Sequence, residues 1–374
     1  MTTRPTPLPV TVLTGFLGAG KTTLLNRLLR DPALHDTAVL INEFGEVAID
    51  HLLVEHIDDG VVLLSAGCLC CSVRGELVAA LEDLLRRIDN GRSPPIARVI
   101  IETTGLADPA PVLHTLMSHP YLVQRYRLDG VVTMVDAING WATLDAHPEA
   151  VRQVAMADRI VLTKTDLVTD ATKAALESLV TRLERLAPGA RRLDAAAGEA
   201  TAAALLGDGL SGAGPFDPAS KAGDVARWLS DEAVAAAEAR GHGEDPNRHD
   251  ERIRAFTVTS ERAISTGALD MFIDLLRAAH GPKLLRLKGV VKLAEHPGRP
   301  VVLHGVQHVF HPPVTLPDWP DGDERTRLVL IARDLDPSTV RRLFAAFLNV
   351  PQVDTPDATA LADNPLAIPG LRLP

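Results

Sequence analysis

Gly15-Phe16-Leu17-Gly18-Ala19-Gly20-Lys21-Thr22 places two glycines, a lysine and a threonine at the spacing Gly-x4-Gly-Lys-Thr. That spacing suits a phosphate chain, because glycines let the backbone wrap it until successive N–H groups and the next helix N-terminus point at negative charge. Lys21 would reach the β- and γ-phosphates, and the Thr22 hydroxyl would bind Mg²⁺. We assign the cradle to Gly15, Gly18, Ala19, Gly20, Lys21, Thr22 and Thr23. The bland alternative is a Gly-rich turn with no ligand. The strand-like run before it, Leu8 to Leu13, and the helical pattern after it, Thr23 to Leu29, count against that.

Thr163-Lys164-Thr165-Asp166 follows a second apolar run and has a pattern that selects guanine. An aspartate accepts two hydrogen bonds from the base N1–H and 2-amino group, which adenine does not supply, while a lysine stem covers the base face. The usual first residue of this motif is Asn, and Thr163 departs from it. Alone the tetrapeptide would read as a solvated turn; downstream of a phosphate loop it reads as base selection. Glu102 ends a third run and precedes Gly105. A carboxylate there would hold the Mg²⁺ shell or orient water, and Gly105 would bring its N–H to the γ-phosphate. The plain alternative is a helix N-cap. Asp136 has a similar place without an accompanying glycine and reads as a cap or supporting residue.

Cys68, Cys70 and Cys71 are the chain's three cysteines and fall within four residues. Thiolates bind borderline divalent metals, chiefly Zn²⁺, and a bound metal keeps them deprotonated at neutral pH. Packing does not explain three in one polar loop; a redox pair is the rival reading, since close thiols can form a disulfide. Three sulfurs leave a tetrahedral ion one ligand short, so Glu46, Glu43, a water or a partner's side chain would complete it. Co²⁺ and Fe²⁺ are compatible with the same ligands. His242 and His249 sit in a charged stretch, and His304 and His308 lie four apart near one expected strand, on one face of it; surface or core roles are the simpler reading for these and for His311.

Apolar runs at Thr37–Ile41, Val61–Leu64, Ala97–Ile101, Gly130–Val135 and Arg159–Leu162 follow the first strand. Helical patterns separate several of them, among them Leu77, Leu81, Leu84, Leu85 and Ile88 on one face. Alternating strands and helices imply a parallel sheet, whose right-handed crossovers bring every strand's C-terminal end to one edge. All the polar motifs sit at those ends, where such sheets bind ligands. The expected fold class is therefore α/β, a parallel sheet flanked by helices over residues 1–206. A Gly-, Ala- and Asp-rich linker with a docked helix carrying Trp228 follows over 207–252. A smaller α+β domain of order β-α-β-β-β-α, with meandering strands, is expected over 253–350, then a Pro-rich tail over 351–374.

The chain of 374 residues carries 38 lysines and arginines against 48 acids, a formal charge of −10. An acidic chain with no basic stripe is a poor nucleic-acid binder. No apolar run approaches the length that spans a bilayer, the N-terminal apolar stretch is the first strand rather than a signal peptide, and clustered cysteines fit a reducing cytoplasm.

Taken in order, the glycine loop, Asn42-Glu43-Phe44-Gly45-Glu46, Gly67-Cys68-Leu69-Cys70-Cys71, Glu102-Thr103-Thr104-Gly105 and Thr163-Lys164-Thr165-Asp166 resemble the CobW-type GTPases. These are P-loop metallochaperones related to the nickel-insertion GTPases of urease and hydrogenase maturation. The resemblance runs to about Leu205, and Ile253 to Leu348 looks like that family's C-terminal domain. It implies a protein that binds GTP and Mg²⁺, hydrolyses GTP slowly, holds Zn²⁺ or a similar ion on Cys68, Cys70, Cys71 and Glu46, and hands it to a client metalloprotein. It leaves open whether the chain forms a homodimer. Ile41 stands where some members carry an additional acid, and only His242 and His249 stand in for the long His-rich linker of many members. Thr163 in place of Asn falls within the family's pattern. Two rivals remain: a P-loop kinase or ATPase with a structural zinc, and a zinc-binding protein with a vestigial nucleotide site.

Overall fold

Short apolar runs rich in Val, Ile and Leu, bounded by polar turns, favour strands buried on both faces. In the computed structural model, which describes residues 6–42, 54–57, 61–66, 73–94, 96–206, 252–310 and 313–348, they do so. The first sheet contains β1 (Leu8–Gly15), β2 (Thr37–Asn42), β3 (Val54–Ile57), β4 (Val61–Ala66), β5 (Arg98–Glu102), β6 (Tyr126–Asp136), β7 (Arg159–Thr163) and β8 (Arg191–Asp194). Its order is β3-β4-β2-β5-β1-β6-β7-β8, parallel throughout except that β3 pairs antiparallel with β4. All five residues of β5 are buried, as is β1 from Val10 onward.

Helices α1 (Lys21–Leu28), α2 (Val73–Asp89), α3 (Ala110–Ser118), α4 (Leu122–Arg125), α5 (Gly140–Ala146), α6 (Pro148–Ala155), α7 (Lys173–Leu186) and α8 (Ala202–Leu205) accompany this sheet. In α2 the stripe read from the sequence is the buried one: Leu77, Leu81, Leu84 and Leu85 are no more than 3% exposed. Among the described residues, no helix is long and apolar enough to cross a membrane.

The second sheet is antiparallel and pairs differently. It is built from β9 (Ile253–Ser260), β10 (Leu284–Val291), β11 (Val301–Val306), β12 (Val309–Phe310), β13 (Val314–Thr315) and β14 (Thr326–Arg333), with α9 (Thr266–His280) and α10 (Pro337–Phe347) packed on it. The order β12-β11-β10-β14-β9 corrects the expected meander, since β14 inserts between the first two strands of the unit. The single strand expected over 300–310 is a hairpin. Gln307 adopts a positive φ of 51°, and the chain reverses there, so His304 lies on β11 and His308 in the turn rather than on one strand face.

The two sheets meet through polar contacts and an apolar cluster that includes Val151 and Val154 of α6 with Leu285 and Ile331. Arg286 Nη1 donates to the carbonyls of Met156 (2.5 Å) and Ala157 (2.7 Å), and its Nη2 pairs with Asp158 at 2.5 Å. Lys288 also donates to Asp158. Burial pushes the Asp158 carboxyl up, but Arg286, Lys288 and His304 outweigh it and hold it well below the usual carboxylate range. With Arg286 only 5% exposed, removing one partner of this pair would cost about 3–5 kcal/mol. On the other flank His114 of α3 bonds the Val306 carbonyl at 3.0 Å and meets the His308 ring edge-on at 4.6 Å.

Candidate functional site

The parallel register delivers the sequence motifs to one edge. Leu13 of β1 and Ile41 of β2 both stand level with Glu102 of β5, and Ile41 is level with Ser65 of β4. The loops that leave β1, β2, β4 and β5 therefore start side by side.

After β1 the chain turns through the glycines into α1. Gly20 is the helix N-cap in the left-handed region, at φ 88°, and no side chain caps the helix. The first N–H groups of α1 are thus left to face the loop, the geometry of an anion cradle. Lys21 is buried, and its Nζ donates to the Gly15 carbonyl at 2.8 Å and the Phe16 carbonyl at 3.1 Å. Thr22 Oγ1 donates to Glu102 Oε1 at 3.4 Å. Two hard oxygen donors, a hydroxyl and a carboxylate, are brought together at the helix start, a set that suits Mg²⁺. Thr23, on the next position of α1, is exposed.

Glu102 is 6% exposed, and the chain after it is tied to β1 by Thr103, whose N–H donates to the Leu13 carbonyl at 2.9 Å and whose hydroxyl donates to Thr14 Oγ1 at 2.7 Å. Gly105 then passes against the phosphate loop so closely that a Cβ there would lie 2.6 Å from Leu17 N. Only glycine fits that approach. The loop is held from behind by Gln153 of α6, whose Nε2 donates to the Gly105 carbonyl (3.1 Å) and the Ala107 carbonyl (3.0 Å). Gln153 was not singled out from the sequence. Its signal was a lone amide among Ala150, Val151 and Val154, all buried on one helix face. Its Oε1 is buried with no hydrogen bond among the described residues, a cost of about 1–3 kcal/mol that the two donated bonds must offset.

The Thr163–Asp166 tetrapeptide is fastened to the same loop. Thr163 Oγ1 donates to the Ala19 carbonyl at 2.9 Å. Lys164 is in the left-handed region at φ 59°, a conformation that costs a non-glycine residue about 1–2 kcal/mol. Its ammonium is 2.6 Å from Asp136 Oδ2, which fixes it there. Asp136 also accepts from the N–H groups of Ile138 and Asn139 and from Asn139 Nδ2. Burial raises the Asp136 carboxyl, yet these bonds, led by Lys164, leave it below the ordinary aspartate value. Asp166 lies in the 3₁₀ turn Thr165–Leu167, exposed, and makes no hydrogen bond among the described residues. Beside it Thr165 Oγ1 donates to Asp194 Oδ1 at 2.6 Å, and Asp194 also accepts from Ala196 N and Ala197 N. That β8-end turn was not anticipated, because Leu193 is its strand's one apolar residue. A cavity of about 250 Å³ opens between the phosphate loop, the end of β6, α5 and α6.

Cys68, Cys70, Cys71, Glu43 and Glu46 lie outside the described residues, as do His242, His249, His311 and Trp228. The strands that lead to the first two groups are described: β2 ends at Asn42 and β4 at Ala66, and these two residues are register partners. The segments from 43 and from 67 thus leave adjacent strands at the edge occupied by the phosphate loop.

Residues 9–193 match the family model described as CobW/HypB/UreG, nucleotide-binding domain, and residues 253–348 match the cobalamin synthesis protein cobW C-terminal domain. The chain is 34% identical over 343 residues to "Zinc chaperone YjiA" of Escherichia coli (strain K12), covering 91% of this chain and 98% of that protein. It is 32% identical over 378 residues to "Zinc chaperone CobW" of Sinorhizobium sp, covering 91% and 97%. The crystal structure of Zn(II)-bound YjiA GTPase from E. coli superposes with a TM-score of 0.65 at 29% identity, covering 92% of this chain and 99% of that one.

Proposed function

The chain belongs to the CobW/HypB/UreG family of nucleotide-binding proteins, and from that premise we propose that it is a GTP-hydrolysing metallochaperone, with zinc as its cargo. The cargo would be held on Cys68, Cys70, Cys71 and Glu46 and handed to a client metalloprotein as GTP is bound and hydrolysed. Two near full-length relatives that carry the name zinc chaperone support the choice of metal.

The observation that carries this reading is the row formed by Leu13, Glu102, Ile41 and Ser65. It starts the phosphate loop, the Glu102–Gly105 loop, the 43–53 segment and the cysteine segment from neighbouring strand ends. A γ-phosphate bound in the cradle would lie near the strand ends from which the segments with the cargo ligands leave, and nucleotide state could alter metal affinity through that shared edge.

In this reading the α1 N-terminus and the loop N–H groups bind the phosphates, and Lys21 exchanges its loop carbonyls for β- and γ-phosphate oxygens. Thr22 and Glu102 would hold Mg²⁺, which when bound neutralises charge developing on the phosphates. Gly105 brings backbone to the γ-phosphate, while Glu102 orients the shell around it. Lys164, held by Asp136, covers the base, and Asp166 accepts hydrogen bonds from its N1–H and 2-amino group. A slow intrinsic rate is expected, as the resemblance to the CobW-type GTPases implies.

The test is GTP turnover of the full chain with Mg²⁺, with and without one equivalent of Zn²⁺ and then Co²⁺, beside the triple variant Cys68→Ser, Cys70→Ser, Cys71→Ser. Zinc should change the wild-type rate and leave the triple variant's rate unmoved. Turnover that ignores metal in the wild type would make the cysteines structural or redox residues.

A further inference from the structure

Helix α6 touches the candidate site along its length and the second sheet at its end. His147, at its N-cap position, stacks on Phe16 of the phosphate loop with ring centroids 4.3 Å apart. Gln153, in the last turn, holds the carbonyls of Gly105 and Ala107. Met156 and Ala157, where the helix ends, give their carbonyls to Arg286 of β10.

Gln153 is 1% exposed. Its neighbours on the helix face are apolar, so a methionine would pack there and would remove the unpartnered Oε1, at the cost of the donor to the two loop carbonyls. What the amide adds is a two-point grip on the loop that carries Gly105. If that loop shifts, it either breaks both bonds or moves α6 with it. Moving α6 displaces carbonyls gripped by a planar guanidinium that is also fixed to Asp158, and such a fork tolerates little displacement.

We propose that Gln153 is a positioning residue that sets the Gly105 loop against the phosphate loop, and that α6 passes the loop's position to the second sheet through Arg286. The inference rests on the GTPase reading, because Gly105 acts through its approach to the γ-phosphate.

The test uses the full-length chain and the variants Gln153→Met, Arg286→Met and the double variant. Single-turnover GTP hydrolysis, affinities for GDP and a non-hydrolysable GTP analogue, and thermal unfolding are measured for each. Gln153→Met should slow hydrolysis by about tenfold to a hundredfold and weaken the GTP analogue while GDP affinity stays within about twofold, since a misplaced loop is felt at the γ-phosphate. Arg286→Met should slow hydrolysis less, and the double variant should be no slower than Gln153→Met alone, the non-additivity of a shared path. A purely structural role predicts equal losses for GDP and GTP, or a lower melting temperature with an unchanged rate; either overturns the proposal, as do single-variant effects that simply multiply. If the wild type fails to hydrolyse GTP, the GTPase reading falls and takes this inference with it; wild-type turnover with an unaffected Gln153→Met removes the inference alone.

Discussion

Gly105→Ala is expected to lower GTP hydrolysis by about a hundredfold, the loss that follows when reacting groups are displaced by about an ångström. The added methyl would sit 2.6 Å from Leu17 N and 2.8 Å from Leu17 Cα, inside the backbone of the phosphate loop rather than against a side chain able to rotate away. One of the two loops has to move. The Glu102–Gly105 segment is tied to β1 through Thr103 and Thr14 and to α6 through Gln153, and the phosphate loop is tied to β7 through Ala19 and Thr163. Neither yields without giving up hydrogen bonds. The overpacking should also cost stability, about 1–3 kcal/mol. Phosphate release under single-turnover conditions measures the first effect and denaturant unfolding the second. A rate within twofold of wild type would mean that the two loops do not have to touch for the chemistry.

Asp166→Ala is expected to reduce the preference for GTP over ATP by about a hundredfold, the effect of losing two hydrogen bonds to a charged acceptor partly open to water. Because Asp166 is exposed and bonds to none of the described residues, the fold should be indifferent to its loss. Competition between the two nucleotides reads the change directly. An unaltered preference, or a wild type that prefers ATP, would favour the P-loop kinase or ATPase reading over the guanine one.

The placement of the phosphate loop, Glu102–Gly105 and Thr163–Asp166 at one sheet edge was legible because each combines a residue pattern with the end of a strongly apolar run, and parallel topology then requires the ends to coincide. β8 and β3 were not legible for the converse reason. β8 has a single buried apolar residue, Leu193, and is recruited by register with β7, while β3 is a four-residue edge strand defined by its pairing with β4. The second sheet was misread where strand order is a tertiary choice: nothing in the run Thr326–Arg333 says that it enters between β9 and β10. The hairpin at Gln307 was hidden because a non-glycine residue takes the positive φ. Gln153 and Asp194 serve the site as holders of loops, and their partners lie far away in sequence, 48 residues for Gln153 to Gly105 and 29 for Asp194 to Thr165. Spacing patterns carry no record of such contacts.

Zinc affinity of the full-length protein, measured once with GDP bound and once with a non-hydrolysable GTP analogue, tests the central claim most directly. Nucleotide-controlled delivery predicts affinities that differ by about tenfold or more, a usual size for coupling between two sites. Equal affinities in the two nucleotide states would contradict it, and would leave a nucleotide site and a metal loop that share a sheet edge without controlling one another.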